Sequence, residues 1–422
     1  MSSIRIQQTG PLDTVVRVPG SKSLTARAMV AAGLASGESV LRDAAICDDT
    51  YFMAGGLRAL GAMVEPTDTI MRINGTGGWL REPTELLLLG NAGTAMRFLT
   101  AVACLGRGRY VLDGSPRMRE RPIRYLLDAL TALGATARSI KDNGCPPVEI
   151  DARGLNGGVV SMRGDLSSQY FTAILLAAPY ASDEVELRVE GDLVSKPYVD
   201  MTLDVMREFG VTVERSGYES FIVPAGQKYS SREFTVEGDW SAAAYFLAAA
   251  AITGGKVRVE NVSLESRQGD KGFVSLLEQM GCRSKVSPEG VQVESSGTLN
   301  GIDIDLNAMP DVVQTLAVTA LFAEGATTIK NVANLRLKEC DRISATATEL
   351  RKLGATVEEF PEGLRIGPGK TRGAAIDTYD DHRMAMSFAL AGLRIPNVTI
   401  NDPECVTKTF PDFFKTLESL YT

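Results

Sequence analysis

The sequence predicts an α/β chain of two domains, built from six repeats of about seventy residues, three to a domain. Three observations carry that prediction. At 422 residues the chain is longer than a single hydrophobic core usually grows, so it should divide. A pattern of apolar helix end, glycine and small strand occurs five times, with its glycines at Gly61, Gly134, Gly210, Gly281 and Gly354, spaced by 73, 76, 71 and 73 residues. Glycine is the expected residue just past a helix C-terminus, where the backbone turns left-handed. A second set of helix starts, near Ser21, Asn91, Ser167, Asp239, Pro310 and Asp380, keeps the same period, at 70, 76, 72, 71 and 70 residues. Nearly all carry Ser, Asn or Asp as a cap. Strand–helix alternation is common to all α/β chains, but it does not explain five matched spacings, which point to an internal repeat. Units this long are supersecondary blocks of strands and two helices, too large for a solenoid.

A short strand is expected over residues 3–7. Val18-Pro19-Gly20 and Val236-Glu237-Gly238-Asp239 read as crossings between the halves. If the first strand joins the C-terminal half, the domains are 20–237 and 1–19 with 238–422, and the active site is expected in the cleft between them. The apolar run 86–89 reads as a buried strand feeding Gly90-Asn91-Ala92-Gly93, with Asn91 as the N-cap of an apolar helix over 94–104. A strand leading through a glycine turn into a helix start leaves backbone N–H groups free beside a positive dipole end, which suits an anion. Many such turns bind nothing; the repetition of the arrangement is what gives it weight. A final helix over 411–420 ends the last repeat.

Composition is that of an ordinary soluble α/β protein: 44% hydrophobic, 23% charged, two Trp. The net charge of −8 argues against broad binding to nucleic acid or to an anionic membrane, while leaving room for a local basic cleft. The six cysteines are scattered, with no CxxC and no His at ligand spacing, so neither a metal site nor a disulfide framework is expected, and a reducing cytoplasm is. The first ten residues are polar, and the most apolar stretch, 245–252, is far too short to span a bilayer.

Candidate functional residues gather at the helix starts. Lys22, in Gly20-Ser21-Lys22-Ser23, places a cation where the helix dipole favours an acid, so either it is a solvated lysine or it faces an anionic ligand; the position favours the ligand. The glycine spacing is not that of a nucleotide-binding P-loop. Three arginines share the loop Arg117-Met118-Arg119-Glu120-Arg121-Pro122, with Arg121, directly before a proline at a helix start, the best anion ligand. Ser167-Ser168-Gln169 could hold a phosphate or simply cap a helix, and Ser195-Lys196-Pro197-Tyr198 opens the next one. In the second half Asp311 is an ordinary capping carboxylate unless it faces the cleft. Lys338-Glu339-Cys340-Asp341-Arg342 crowds reactive side chains, and Lys408 precedes the last helix. His382, the one histidine, follows Asp380-Asp381; a lone histidine is more often structural, but this one adjoins Arg383 at a repeat position. Lys22, Asn91, Ser167, Asp311 and His382 fall at equivalent starts of one helix family, and Arg121, Lys196 and Arg342 at those of the other. Parallel stacking of the repeats would bring them onto one cationic surface suited to small, multiply anionic substrates. Asp311 and Glu339 are then the natural acid/base pair.

Several runs carry a family resemblance: Pro19-Gly20-Ser21-Lys22-Ser23, Gly90-Asn91-Ala92-Gly93-Thr94-Ala95-Met96-Arg97, residues 117–122, Ser167-Ser168-Gln169, and Gly191-Asp192-Leu193-Val194-Ser195-Lys196-Pro197-Tyr198. Further along come Lys338-Glu339, Asp341-Arg342, Asp380-Asp381-His382-Arg383-Met384-Ala385-Met386 and Lys408-Thr409-Phe410-Pro411. Together they resemble the 5-enolpyruvylshikimate-3-phosphate synthase family, in family order and over nearly the whole chain. The resemblance implies a two-domain inside-out α/β barrel of six βαβαββ-type repeats. It also implies enolpyruvyl transfer from phosphoenolpyruvate to shikimate 3-phosphate through a tetrahedral intermediate, without a cofactor or metal. On the same basis Lys22, Ser23, Arg27, Ser167, Ser168, Gln169, Ser195, Tyr198, Asp311, Asn334 and Lys338 hold shikimate 3-phosphate. Lys22, Asn91, Gly93, Thr94, Arg121, Gln169, Arg342, His382, Arg383 and Lys408 surround phosphoenolpyruvate. Lys22, Asp311, Glu339 and His382 are the catalytic group. A cytoplasmic monomer inhibited by glyphosate is expected, with no nucleic-acid or membrane partner. Cys340 stands where Thr is common in the family, Phe98 where many relatives have Pro, and Trp240 is large for a place beside the domain crossing. The related transferase acting on UDP-N-acetylglucosamine shares the repeats but carries a reactive cysteine in a loop where this chain reads Ser115-Pro116-Arg117-Met118. A noncatalytic anion-binding relative would have no use for Lys22, Asp311 and Glu339 together.

Overall fold

In the computed structural model, which describes residues 2–421, the chain separates into two units, one of residues 20–236 and one of residues 1–19 with 237–422. The first unit carries three four-stranded sheets with one pattern of pairing. Ser36–Arg42 runs parallel to Glu233–Thr235 and antiparallel to Ile70–Thr76, which holds Met63–Thr67 at the edge. Arg107–Asp113 lies parallel to Leu87–Leu88 and antiparallel to Val148–Arg153, with Thr136–Ser139 outermost. Val185–Glu190 lies between Gly158–Arg163, parallel, and Ser220–Val223, antiparallel, which carries Glu214–Ser216. One face of these sheets is buried: Val148, Ile150 and Ala152 alternate with exposed or half-exposed neighbours, the period of two that a one-sided strand requires.

The inner layer of this unit is helical. Helices Lys22–Leu34, Gly93–Ala103 and Ser168–Ala177 pack on one another and are buried around nearly their whole circumference. Their sequences are rich in Ala and larger apolar residues on every side, the composition of a helix with no solvent face.

The second unit repeats the scheme. Lys256–Val259 lies parallel to Asp13–Val16 and antiparallel to Gly290–Glu294, which holds Arg283–Ser287. Thr327–Lys330 has the same place between Asp303–Asp305 and Gly363–Gly367, with Thr356–Phe360 at the edge. Thr399–Asn401 joins Ala375–Ile376 in parallel and Ser3–Arg5 in antiparallel. Helices Trp240–Thr253, Val313–Thr319 and His382–Gly392 form the buried inner layer, and the apolar run 245–252 is simply the middle of the first. Among the described residues no helix is long and apolar enough to cross a membrane.

The five periodic glycines all follow helix ends with φ between +88° and +110°, the conformation that selected them. Several expected boundaries move. The strand over 86–89 shortens to Leu87–Leu88, that over 3–7 to Ser3–Arg5, and the last helix is Phe413–Glu418. Pro310 opens a 3-10 turn, Pro310–Val312, ahead of the α-helix. The helix after the first glycine turn begins at Gly93, so its N-cap is Ala92, which has no side chain to cap with. Asn91 lies one residue too early and accepts a different bond, described below.

Candidate active site

In the 20–236 unit two groups of candidates form around the buried helices. Ser21 caps the first helix, its side chain accepting from the Leu24 N–H. Lys22, set against the dipole at the next position, is compensated by Asp49, whose Oδ2 lies 3.0 Å from Nζ and which is buried. Asp49 was hidden in the sequence, because an acidic first turn in Asp48–Ala59 looks like ordinary helix compensation. Arg27 is buried and ties three parts together: Nε donates to Thr202 Oγ1 at 2.9 Å, Nη1 to the Ser23 carbonyl at 2.8 Å and Nη2 to the Tyr198 carbonyl at 3.0 Å. Its guanidinium also lies 5.5 Å from the centre of the Phe98 ring. Burial lowers its pKa to about 10, with Tyr198 acting in the opposite sense. Ser195, N-cap of helix Lys196–Glu208, is buried with φ at +55°, a strained conformation for serine.

The second group surrounds the starts of two packed helices. Gly93 is crossed so closely by Arg121 that a Cβ there would lie 2.6 Å from Nη2 and 2.8 Å from Nη1. Arg121 Nη1 reaches both the carbonyl and the Oδ1 of Asn91, each at 3.3 Å. Gln169 Nε2 donates to Thr94 Oγ1 at 3.3 Å, while Ser167 Oγ accepts the Gln169 N–H and Ser168 is buried beside it. Arg117 and Arg119 serve elsewhere, pairing with Glu120 at 2.9 Å and with Asp113 at 2.6 Å. Of the three loop arginines only Arg121 turns inward, although the helix it was expected to open starts later, at Arg124.

In the other unit the candidates converge on Arg342, which is 2% exposed. Its Nε and Nη2 grip Asp381 as a fork at 2.7 and 3.2 Å, Nη1 donates to Asp311 at 3.1 Å, and Nη2 also reaches Glu339 at 2.9 Å. Three carboxylates outweigh the burial penalty and push the guanidinium pKa upward. Asp311 is held from its other side by Arg383 Nη2 at 2.8 Å, and Glu339 lies 3.8 Å from Lys408 Nζ. Asp381 also caps helix His382–Gly392, accepting the Arg383 N–H at 2.9 Å, so the cap falls one residue after Asp380. His382 is buried, and its Nδ1 is 3.5 Å from Asp381 Oδ1 without hydrogen-bond geometry. Burial first, and Arg383 next, hold its pKa well below the usual 6.5, so the ring is neutral at neutral pH. Asn334 and Lys338 sit on the 3-10 segment Ala333–Leu337 and its C-cap, next along the chain to Glu339. Asp381 was visible only as part of a motif; its partner lies 39 residues away, a distance no local pattern reveals. Among the described residues no group of three or more His, Cys, Asp or Glu could hold a metal ion.

Comparison with known proteins gives the family. The family profile of EPSP synthase (3-phosphoshikimate 1-carboxyvinyltransferase) matches residues 6–417. A 3-phosphoshikimate 1-carboxyvinyltransferase of Aliivibrio salmonicida is 48% identical, with all of both chains covered, and that of a Sulfurovum species is 48% identical over all of this chain and 99% of its own. An EPSP synthase structure from Acinetobacter baumannii superposes with a TM-score of 0.82 at 28% identity, covering 100% of this chain and 98% of that one. The chain therefore belongs to the EPSP synthase (3-phosphoshikimate 1-carboxyvinyltransferase) family.

Proposed function

We infer that this chain is a transferase that moves the enolpyruvyl group of phosphoenolpyruvate to shikimate 3-phosphate with release of phosphate, a step of the shikimate pathway toward the aromatic amino acids. The observation that carries the residue-level reading is Arg342, one guanidinium bound at once to Asp311, Glu339 and Asp381. It fixes a potential base and a potential acid relative to each other in a nearly dry environment.

The chemistry is addition followed by elimination. Protonation of the methylene carbon of phosphoenolpyruvate gives its neighbouring carbon cationic character, and the 5-hydroxyl of shikimate 3-phosphate attacks that carbon. Loss of phosphate and return of a methyl proton leave the enol ether. Asp311 acts as the base toward the 5-hydroxyl, with Glu339 and Lys22 as the proton-transfer partners and neutral His382 beside them. Arg121, Arg342, Arg383 and Lys408, with Asn91, Gly93, Thr94 and Gln169, surround phosphoenolpyruvate; fixed arginines and lysines neutralise its carboxylate and phosphate without reorganising. Ser23, Arg27, Ser167, Ser168, Gln169, Ser195, Tyr198, Asn334 and Lys338 hold shikimate 3-phosphate. Exclusion of water from the occupied site would protect a hydrolysis-prone intermediate. The sheets and inner helices are read as six βαβαββ-type units, three per domain, of an inside-out α/β barrel. The working form is a cytoplasmic monomer, inhibited by glyphosate in competition with phosphoenolpyruvate; an activity unchanged by millimolar glyphosate refutes that part.

The test is phosphate release from phosphoenolpyruvate with shikimate 3-phosphate present, omitted, or replaced by UDP-N-acetylglucosamine. Release only with shikimate 3-phosphate, abolished in Lys22→Ala and Asp311→Ala, is expected. Release only with the sugar nucleotide would reassign the acceptor.

A further inference from the structure

Asp270 is a buried carboxylate to which the roles above give no part. It sits on the 3-10 turn Gly269–Gly272, 3% exposed, and its Oδ2 accepts the Ser241 hydroxyl. Ser241 is the second residue of the buried helix Trp240–Thr253. Its Oγ in turn receives Arg383 Nη2 at 3.3 Å, and the same Nη2 donates to Asp311 Oδ2 at 2.8 Å. Four side chains from four elements therefore form one path: Asp270, Ser241, Arg383, Asp311. One turn along the same helix face, the Tyr245 hydroxyl takes Arg383 Nη1 at 3.3 Å, so the guanidinium is held at two points by one helix. The charged groups that act on Asp270 are Asp311 and Asp239, of its own sign, and Arg383, of the opposite sign; Lys271, the next residue, instead bonds the Leu264 carbonyl at 2.7 Å.

We propose that Asp270 is a positioning residue that orients Arg383, through Ser241, against Asp311 and the substrate. A hydroxyl has one hydrogen to give and lone pairs to receive with. Ionised Asp270 takes the Ser241 hydrogen and leaves the oxygen's lone pairs to Arg383. Protonated Asp270 can donate to that same oxygen and compete with Arg383 for it. Burial, then repulsion from Asp311, raises the Asp270 pKa to about 7, so the exchange occurs within the working range of pH. The inference rests on the reading of Arg383 as a phosphoenolpyruvate ligand.

The experiment compares wild type, Asp270→Asn, Ser241→Ala and the double variant, by phosphate release between pH 5.5 and 8.5 and by thermal melts that establish folding. Each single variant is expected to lose about tenfold in kcat/KM for phosphoenolpyruvate, mostly through KM, the scale of one hydrogen bond to a charged group. The double variant should be no worse than the poorer single, because one path is cut twice. Wild type is expected to show an ionisation near pH 7 in kcat/KM, and Asp270→Asn to lose it. Additive losses with an unchanged pH profile would overturn the proposal. A readout independent of turnover separates it from the functional reading: the ¹⁵N resonances of the Arg383 guanidinium should shift through the Asp270 midpoint in wild type and stay fixed in Ser241→Ala. Wild-type resonances indifferent to pH across that range would refute the relay, whether or not phosphate is released; wild type without phosphate release, but with the shift, would overturn only the assigned reaction.

Discussion

Replacing Arg342 with methionine keeps the length and packing of the side chain and removes only its charge and donors. In the folded protein that guanidinium makes four bonds to three carboxylates, and Asp381, the one it grips twice, is fully buried. Arg342→Met would leave Asp381 with the Arg383 N–H at 2.9 Å and the Cys340 thiol at 3.5 Å, and nothing in the bulk solvent to replace the lost partner. Breaking a buried ion pair by removing one partner costs about 3–5 kcal/mol, because a charge stays buried without compensation. For a unit of this size that is a fall of about 10 °C in its melting transition. Scanning calorimetry at pH 7.5 is the assay, since two units need not melt together. Acidification supplies a second check. The bonds that Arg342 makes are all to carboxylates, so acid weakens them in wild type, and the gap between variant and wild type should narrow from pH 7.5 to pH 5. A variant melting within 1 °C of wild type, or a gap that widens on acidification, would refute the account of Arg342 as the electrostatic centre of this unit.

Gly93→Ala should raise KM for phosphoenolpyruvate about tenfold or more while leaving the melting temperature nearly unchanged, since the added methyl meets only the guanidinium end of Arg121; an unchanged KM would show that Arg121 needs no such clearance. Burial holds His382 neutral, so below pH 6.5 the unfolded chain binds a proton that the folded chain refuses. The stability this residue contributes is therefore full above pH 6.5 and lost as pH falls below it, at up to about 1.4 kcal/mol per pH unit. Denaturant titrations of His382→Gln at pH 7.5, 6.5 and 5.5 should show a flatter dependence than wild type, and equal slopes would contradict the assignment. Asp49→Asn removes the buried partner of Lys22 at 3.0 Å and should depress phosphate release in the same direction as Lys22→Ala; in a double-mutant cycle of the two, losses that simply add would argue that the pair does not act together.

What the sequence made legible was whatever a short window of residues decides. The five periodic glycines are set by helix geometry alone, and all adopt the left-handed conformation they were expected to have. Ser21, Ser167 and Asp239 cap helices as read, because a cap depends on a bond spanning two or three residues. Asn91 was misread by one position, since Gly93 itself opens the helix and the amide is drawn to Arg121, thirty residues on. Arg121 could be told from Arg117 and Arg119 by its place before Pro122, which holds it extended at the end of the turn Met118–Glu120. Asp49, Asp270 and the fork between Asp381 and Arg342 were not legible. Each acid lies at or near a helix start, where a carboxylate has a sufficient local reason to exist, and the partner that gives it another purpose lies far along the chain.

The first nineteen residues belong to the unit that is otherwise made last. Asp13–Val16 is the parallel neighbour of Lys256–Val259, and Ser3–Arg5 pairs with Thr399–Asn401 near the opposite end of the chain. A ribosome therefore releases these strands long before their partners exist, while 20–236 can complete its three sheets and inner helices without them. The order of events is then fixed by connectivity: the inserted unit folds first, and the early strands wait, unpaired and open to wrong pairing, through most of synthesis. Closing so long a loop costs only slowly more than closing a short one, so the finished protein loses little by it. The burden falls on the rate of folding and on protection of the nascent chain, and slower translation across residues 237–422 would lengthen that exposure.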